Sequence, residues 1–204
     1  MRRLAFLVLG VLFLVRPAAA QDTSRGEFSA GWRFTHANLG NVPFTFDISK
    51  PNDFPRGWYG DVALNLSPKF ALVGEAGGTY LHDTTSRTTG SVTIAQAVDV
   101  TFHTFMGGVR VRAPQNARLV PFGQVLIGGE HNSSSSERTL TFPAGRPSTS
   151  LQEASGSGAV LALDGGLTVA AGPIGLRAAA GYARFFGTAD ADAFRLSIGV
   201  TRRF

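Results

Sequence analysis

The sequence predicts an all-β protein: an eight-stranded antiparallel up-and-down transmembrane β-barrel, preceded by a cleavable signal peptide. Apolar and polar residues alternate along eight segments, tight turns and longer connections alternate between these segments, and no later stretch is apolar enough for a spanning helix. Alternation with a period of two places successive side chains on opposite faces of a strand. Strands can cross a bilayer only as a closed barrel, because every backbone polar group then has a partner.

The N-terminus has the pattern of a signal peptide. A short basic start precedes an apolar run over residues 4–15, and residues 18–20 form an Ala-x-Ala cleavage site. The run is shorter than the ~20 residues that a spanning helix requires. We therefore expect residues 1–20 to be removed and residues 21–204 to form one outer-membrane β-barrel domain.

Composition excludes several classes of function. The 204 residues include no cysteine, which excludes disulfides, thiol catalysis and cysteine metal sites. The formal charge of +5 falls once the signal peptide is removed, because 16 basic residues then face 14 acidic ones. No basic run stands out, so we expect no nucleic-acid partner.

The eight alternating segments are each about as long as the ~9–11 residues that a tilted strand needs to cross a bilayer. They cover residues 27–35, 57–66, 70–82, 98–113, 119–130, 158–171, 174–186 and 194–204. Tight turns follow the second, fourth and sixth segments. Residues 36–55, 83–97 and 131–156 are interpreted as long loops, and residues 187–190 as a short connection.

The two faces of the predicted strands differ in chemistry. Aromatic residues on the apolar face are predicted to form a girdle at the membrane interface, namely Trp32, Trp58, Tyr80 and Tyr182. The opposite face carries charges that would be costly in lipid, namely Arg33, Asp61, Glu75, Arg110, Asp164, Arg177 and Arg195. Side chains just fill an eight-stranded lumen, which favours a salt-bridged plug. The alternative is a pore whose charged wall selects ions.

With these features assembled, the chain resembles the small outer-membrane β-barrel family, which includes the OmpA-like transmembrane domain and the opacity-porin-like proteins. The resemblance extends over residues 26–204, and residues 121–125 and 176–177 are its more specific points of similarity. The last strand resembles the signal that the barrel-assembly machinery reads, carried by Phe194, Leu196, Ile198, Val200 and Phe204. The resemblance implies a monomer in the outer membrane of a Gram-negative-type cell envelope, surrounded by lipid.

The residues that could carry chemistry point away from catalysis, and we predict no enzyme, no cofactor and no metal. By parity His36, His82 and His131 lie on the outward face at the rim, where they would not converge. His103 is not followed by the H-x-S-N pattern of outer-membrane lipid A deacylases. We therefore predict a structural or surface-interaction role through the extracellular loops. The alternatives are a small porin or channel, an enzyme modifying outer-leaflet lipid, and a soluble lipocalin-like carrier.

Overall fold

The computed structural model describes residues 24–39, 52–113, 118–142, 146–187 and 190–204. The predicted signal peptide lies outside these residues. Strands make up nearly all of the described chain: β1 (Gly26–Leu39), β2 (Asp53–Phe54), β3 (Arg56–Asn65), β4 (Phe70–Thr89), β5 (Val92–Arg112), β6 (Leu119–Thr141), β7 (Ser148–Ala171), β8 (Ile174–Gly187) and β9 (Ala191–Arg203). The described residues include no helix that is long and apolar enough to cross a membrane.

Each long strand pairs in antiparallel fashion with the next, in the order β1-β3-β4-β5-β6-β7-β8-β9. The first and last strands also pair, from Glu27 opposite Arg203 to Leu39 opposite Ala191, and this pairing closes the sheet. Backbone hydrogen bonds between Gly26 and Phe204, of 3.1 and 3.0 Å, complete the seam. The prediction of a closed, eight-stranded up-and-down barrel is therefore confirmed.

The strands are longer than predicted, and two of the predicted long loops are wrong. Residues 83–97 form the ends of β4 and β5, joined by a turn in which Gly90 has a φ of 63°. Residues 131–156 belong largely to β6 and β7. The Thr- and Ser-rich sequence of both segments resembles that of a loop, because polar side chains occupy both faces of these strands. Strands that lie outside the membrane need no apolar face, and pairing alone satisfies their backbones.

The third predicted loop, residues 36–55, is only partly described. β1 continues to Leu39, and the two-residue β2 pairs with it, Thr35 opposite Phe54 and His36 opposite Asp53. The register with β1 shifts by one residue at Pro55, between β2 and β3. On β3, Trp58 lies opposite Trp32, and an unbroken register would place Pro55 rather than Phe54 opposite Thr35. This β-bulge reverses the alternation, so Phe54 points into the barrel and is only 1% exposed.

The barrel is apolar outside and charged inside. Large hydrophobic side chains on the outward positions are exposed, among them Leu72, Phe105, Ile127, Leu176 and Ile198. Inward positions hold buried polar and charged residues at the level of this apolar band. The arrangement is the reverse of a soluble carrier with an apolar ligand cavity, and it suits a barrel surrounded by lipid.

Candidate functional site: the charged lumen and the extracellular sheet

A group of five charged side chains fills the lumen near the turn ends of the strands. Glu27 accepts hydrogen bonds from Arg110 and Arg177, each at 2.5 Å, and a weaker one from Arg112 at 3.3 Å. Asp61 lies 3.0 Å from Arg110 and 3.2 Å from Arg177. Each of the two central guanidinium groups is therefore shared between the same two carboxylates, an arrangement that compensates for their removal from water.

A second group lies nearer the loop ends of the strands. Glu75 forms ion pairs with Arg33 at 2.9 Å and with Arg195 at 3.5 Å. Arg195 also binds Asp164, at 2.7 Å. Gly181 makes room for this carboxylate, because a Cβ at that position would overlap Asp164 Oδ1.

Gln124 joins the two groups into one network. Its Oε1 accepts a hydrogen bond from Arg110 Nε at 2.8 Å, and its Nε2 donates to Asp164 at 2.9 Å. The ring of Phe122 lies between two arginines, with its centroid 5.0 Å from Arg110 Cζ and 4.8 Å from Arg177 Cζ. These cation–π contacts cover parts of the guanidinium groups that no carboxylate reaches.

The structure places all seven predicted lumen charges inside the barrel. The side chains of Arg33, Asp61, Glu75, Arg110, Asp164, Arg177 and Arg195 are each at most 6% exposed. Two further members, Glu27 and Arg112, were missed as site residues, although alternation already placed both on the polar face. Glu27 opens the first strand and Arg112 lies near the end of the fourth, where strand limits are hardest to judge from sequence.

Three phenylalanines form a roof over this network. Phe54 packs edge-on against Phe102 with ring centroids 5.5 Å apart, and Phe102 contacts Phe185 at 6.1 Å. Beneath them lies a small cavity of about 30 Å³, whose walls include Arg33 and Arg195. Such a volume holds only about one or two water molecules. Salt bridges below and aromatic rings above therefore leave little open space around Arg33 and Arg195.

The predicted aromatic girdle lies on the outward face. Trp32, Trp58, Tyr80 and Tyr182 are 46, 42, 37 and 47% exposed. Trp58 Nε1 donates to the Tyr80 hydroxyl at 3.0 Å, and Trp32 Nε1 donates to the Pro55 carbonyl at 3.0 Å. These four residues, called the outer belt below, mark the level above which the strands carry mainly polar side chains.

The residues predicted to form the assembly signal share the outward face of β9. Phe194, Leu196, Ile198 and Val200 are 46, 41, 57 and 51% exposed. Phe204 follows them at the opposite end of the barrel from the outer belt, 39% exposed. Its ring covers Gly26, where a Cβ would come within 2.7 Å of Phe204 Cζ. The terminal aromatic thus also packs over the seam that closes the barrel.

The four histidines make separate contacts on the outer face. His36 and His82 lie 2.5 and 2.6 Å from Asp53 and Asp99. His103 Nε2 lies 3.2 Å from the Tyr80 hydroxyl, and His131 Nδ1 lies 3.0 Å from Ser157 Oγ.

The contact between His131 and Ser157 joins a potential base to a potential nucleophile. Within the described residues no carboxylate hydrogen-bonds His131, so the pair lacks the third group of a catalytic triad. The same part of the chain contains no group of three or more His, Asp or Glu residues placed to hold a metal.

Four strands continue beyond the outer belt as one sheet, called the extracellular sheet below. It consists of residues 81–89 of β4, 92–101 of β5, 131–141 of β6 and 148–157 of β7, paired in that order. Strand β3 pairs with β4 only as far as Tyr80, and β8 pairs with β7 only as far as Gly158. In the described chain, each outer edge of the extracellular sheet therefore has unpaired backbone groups.

Comparison with known proteins shows the fold. No protein-family model and no curated protein matches the sequence. The structure is similar to that of Ail, the attachment invasion locus protein of Yersinia pestis, with a TM-score of 0.55 and 16% identity over 88% of this chain and 97% of Ail. It is also similar to Neisserial surface protein A, with a TM-score of 0.52 and 12% identity over 89% of this chain and 98% of that one. The chain therefore has the fold of the small eight-stranded outer-membrane β-barrels. Three observations support this: the pairing of β1 with β9, the apolar outside with a charged inside, and the similarity to these two structures.

Proposed function

We propose that the protein is a non-enzymatic barrel of the outer membrane of a Gram-negative-type envelope, and that its extracellular sheet binds a partner polypeptide at the cell surface. The observation that carries the proposal is the free edge of β7, which extends about 30 Å beyond the outer belt at ~3.3 Å per residue. The exposed apolar band and the outer belt support the membrane location. The connected ion pairs support a closed lumen rather than a pore.

The charge of the extracellular sheet indicates which class of partner it suits. Its four strand segments carry two arginines and four carboxylates, namely Arg87, Arg138, Asp83, Asp99, Glu137 and Glu153, and Arg146 lies in the connection between β6 and β7. Ail was solved with sucrose octasulfate, a heparin analogue. Balanced charge does not favour a sulfated polyanion as the partner of this chain, because such ligands require an excess of arginine or lysine.

Backbone pairing provides a different mode of recognition. An extended polypeptide can add to an exposed sheet edge through main-chain hydrogen bonds. Over residues 148–157 the β7 edge has one charged residue, Glu153, and neither proline nor lysine, the residues that commonly protect an edge from pairing. Leu151, which is 62% exposed, offers an apolar contact to an added strand.

The β7 edge can be tested with an unfolded polypeptide as the probe. We expect the detergent-solubilised protein to bind reduced, carboxymethylated α-lactalbumin and not its native form. Backbone N–H groups alternate in direction along a strand, so one of Leu151→Pro and Gln152→Pro removes a donor from the free edge. That variant should lose binding, whereas Leu151→Ala and Gln152→Ala should retain it. Equal binding by all four variants would rule out strand addition at this edge.

The membrane location has a separate test. Expressed in a Gram-negative host, the full chain should sediment with outer-membrane fragments and require detergent for release. Recovery of the mature chain as a soluble protein without detergent would contradict the proposal.

A further inference from the structure

We infer that His103 and His131 form a binding site for a divalent transition-metal ion, with Zn²⁺ and Cu²⁺ as the best-suited ions, on the outward face of the barrel. The site lies apart from the lumen network, and its two ligands are on β5 and β6 rather than on the free edge of β7.

Strand pairing brings the two histidines together. His103 on β5 lies directly opposite His131 on β6 in the antiparallel register. Both positions have outward parity, at the level of the outer belt, because Trp58, Gly78 and His103 lie opposite one another across β3, β4 and β5. Directly opposed residues have Cβ atoms about 4.5–5.5 Å apart. At that spacing two imidazoles can share one ion at the ~2.0–2.1 Å typical of Zn–N bonds.

Each imidazole has one nitrogen engaged by a neighbouring hydroxyl. The Tyr80 hydroxyl lies 3.2 Å from His103 Nε2, and Ser157 Oγ lies 3.0 Å from His131 Nδ1. The other nitrogens, His103 Nδ1 and His131 Nε2, have no hydrogen-bond partner in the described chain. Histidines that bind metals commonly have this arrangement, in which a second group orients the ring and fixes its tautomer.

The other two histidines differ in a way that supplies a control. His36 faces Asp53 and His82 faces Asp99 in the strand register. Each is already hydrogen-bonded to that carboxylate. Neither therefore offers a pair of imidazole nitrogens, the donor set that suits copper and zinc.

Affinity measurements on the untagged full chain in detergent micelles test the site. Calorimetric titration with Zn²⁺ should show one ion bound per chain. His103→Ala and His131→Ala should each weaken binding by about 100-fold, because the second ligand no longer acts at high effective concentration. His36→Ala and His82→Ala should leave the affinity unchanged. Wild-type affinity in the His103→Ala variant, or an equal loss in the His36→Ala variant, would overturn the proposal.

Two further readouts separate metal ligation from a structural role of the histidines. Electron paramagnetic resonance with Cu²⁺ should show coupling to two imidazole nitrogens in the wild type and to one in His131→Ala. Zn²⁺ should raise the thermal midpoint of the wild type and not that of either variant, because only a binding-competent native state is stabilised by mass action. Ser157→Ala should weaken binding by about tenfold, as expected for loss of a group that orients a ligand. An identical Cu²⁺ spectrum in the wild type and in His131→Ala would contradict the assignment.

Discussion

The Nη1 atom of Arg110, on β5, lies 2.5 Å from Oε1 of Glu27, on β1, inside the lumen. The same arginine binds Asp61 at 3.0 Å and Gln124 at 2.8 Å. We expect Arg110→Met to lower the free energy of unfolding by about 3–5 kcal/mol, because buried carboxylates lose a partner. Arg87→Met, at an exposed position in the extracellular sheet, should change it by about 0.5 kcal/mol or less. Urea unfolding in lipid vesicles measures both, and a similar small effect for the two variants would show that the network is not stabilising.

The filled lumen predicts that the wild-type protein does not conduct ions. Planar-bilayer recordings should show no stable open level, because paired side chains occupy the barrel from Glu27 to Arg195. A stable conducting level that Glu75→Ala or Arg110→Ala abolishes would contradict a closed lumen.

Because of the bulge at Pro55, the side chain of Phe54 is buried, and we expect substitutions of Phe54 to lower the stability of the barrel. Phe54→Ala removes a buried ring from the roof and should destabilise the barrel by about 3–5 kcal/mol. Deletion of Pro55 should have a comparable effect, because restored alternation turns Phe54 outward. Phe142→Ala, at a position that is 43% exposed, serves as the control. Equal unfolding midpoints for Phe54→Ala and Phe142→Ala would refute the roof.

Asp192, just beyond the outer belt, is expected to stabilise the fold to an extent that depends on pH. Hydrogen bonds from Tyr182 and then Arg184 hold the pKa of Asp192 below its ordinary value of 3.8. A carboxylate with a lowered folded-state pKa stabilises the fold above its ordinary pKa, and this contribution is lost as the pH falls through the folded-state value. The difference in thermal midpoint between wild type and Asp192→Asn should therefore shrink on acidification below about pH 4. A difference that stays constant down to pH 2 would oppose this assignment.

The assembly signal predicted at the last strand remains to be tested. Phe204→Ala should lower the fraction of protein inserted in the outer membrane of living cells, as judged by heat-dependent migration on gels. Phe70→Ala removes an exposed aromatic near the same end of the barrel and should leave insertion unchanged. Equal insertion of the two variants would show that Phe204 is not an assembly signal and that its role is confined to packing against Gly26.

Alternation of residue type was enough to predict the barrel, its closure and the inward direction of residues such as Arg110 and Asp164. Alternation failed as a predictor of strands outside the membrane, where lipid no longer requires one face to be apolar. Above the outer belt no lipid requires an apolar face, so residues 83–97 and 131–156 resembled loops although they pair as strands. Phe54 was missed because a single extra residue, Pro55, reverses parity without changing composition.

The histidine pair shows a related limit. Parity alone placed His131 on the outward face, but its position opposite His103 depends on the register between β5 and β6. With the fifth strand predicted to end at residue 130, His131 was assigned to a loop and had no partner across the sheet. Register depends on every pair along two strands, so no local pattern around either histidine contains it.

The position of Glu27 also bears on how the barrel folds. Its partners Arg110 and Arg177 follow it by 83 and 150 residues. A partial barrel that lacked β5 or β8 would leave this carboxylate without one of its two closest cations. Half-formed barrels are thus penalised until nearly the whole sheet is assembled, and folding within the membrane should approach a single cooperative step.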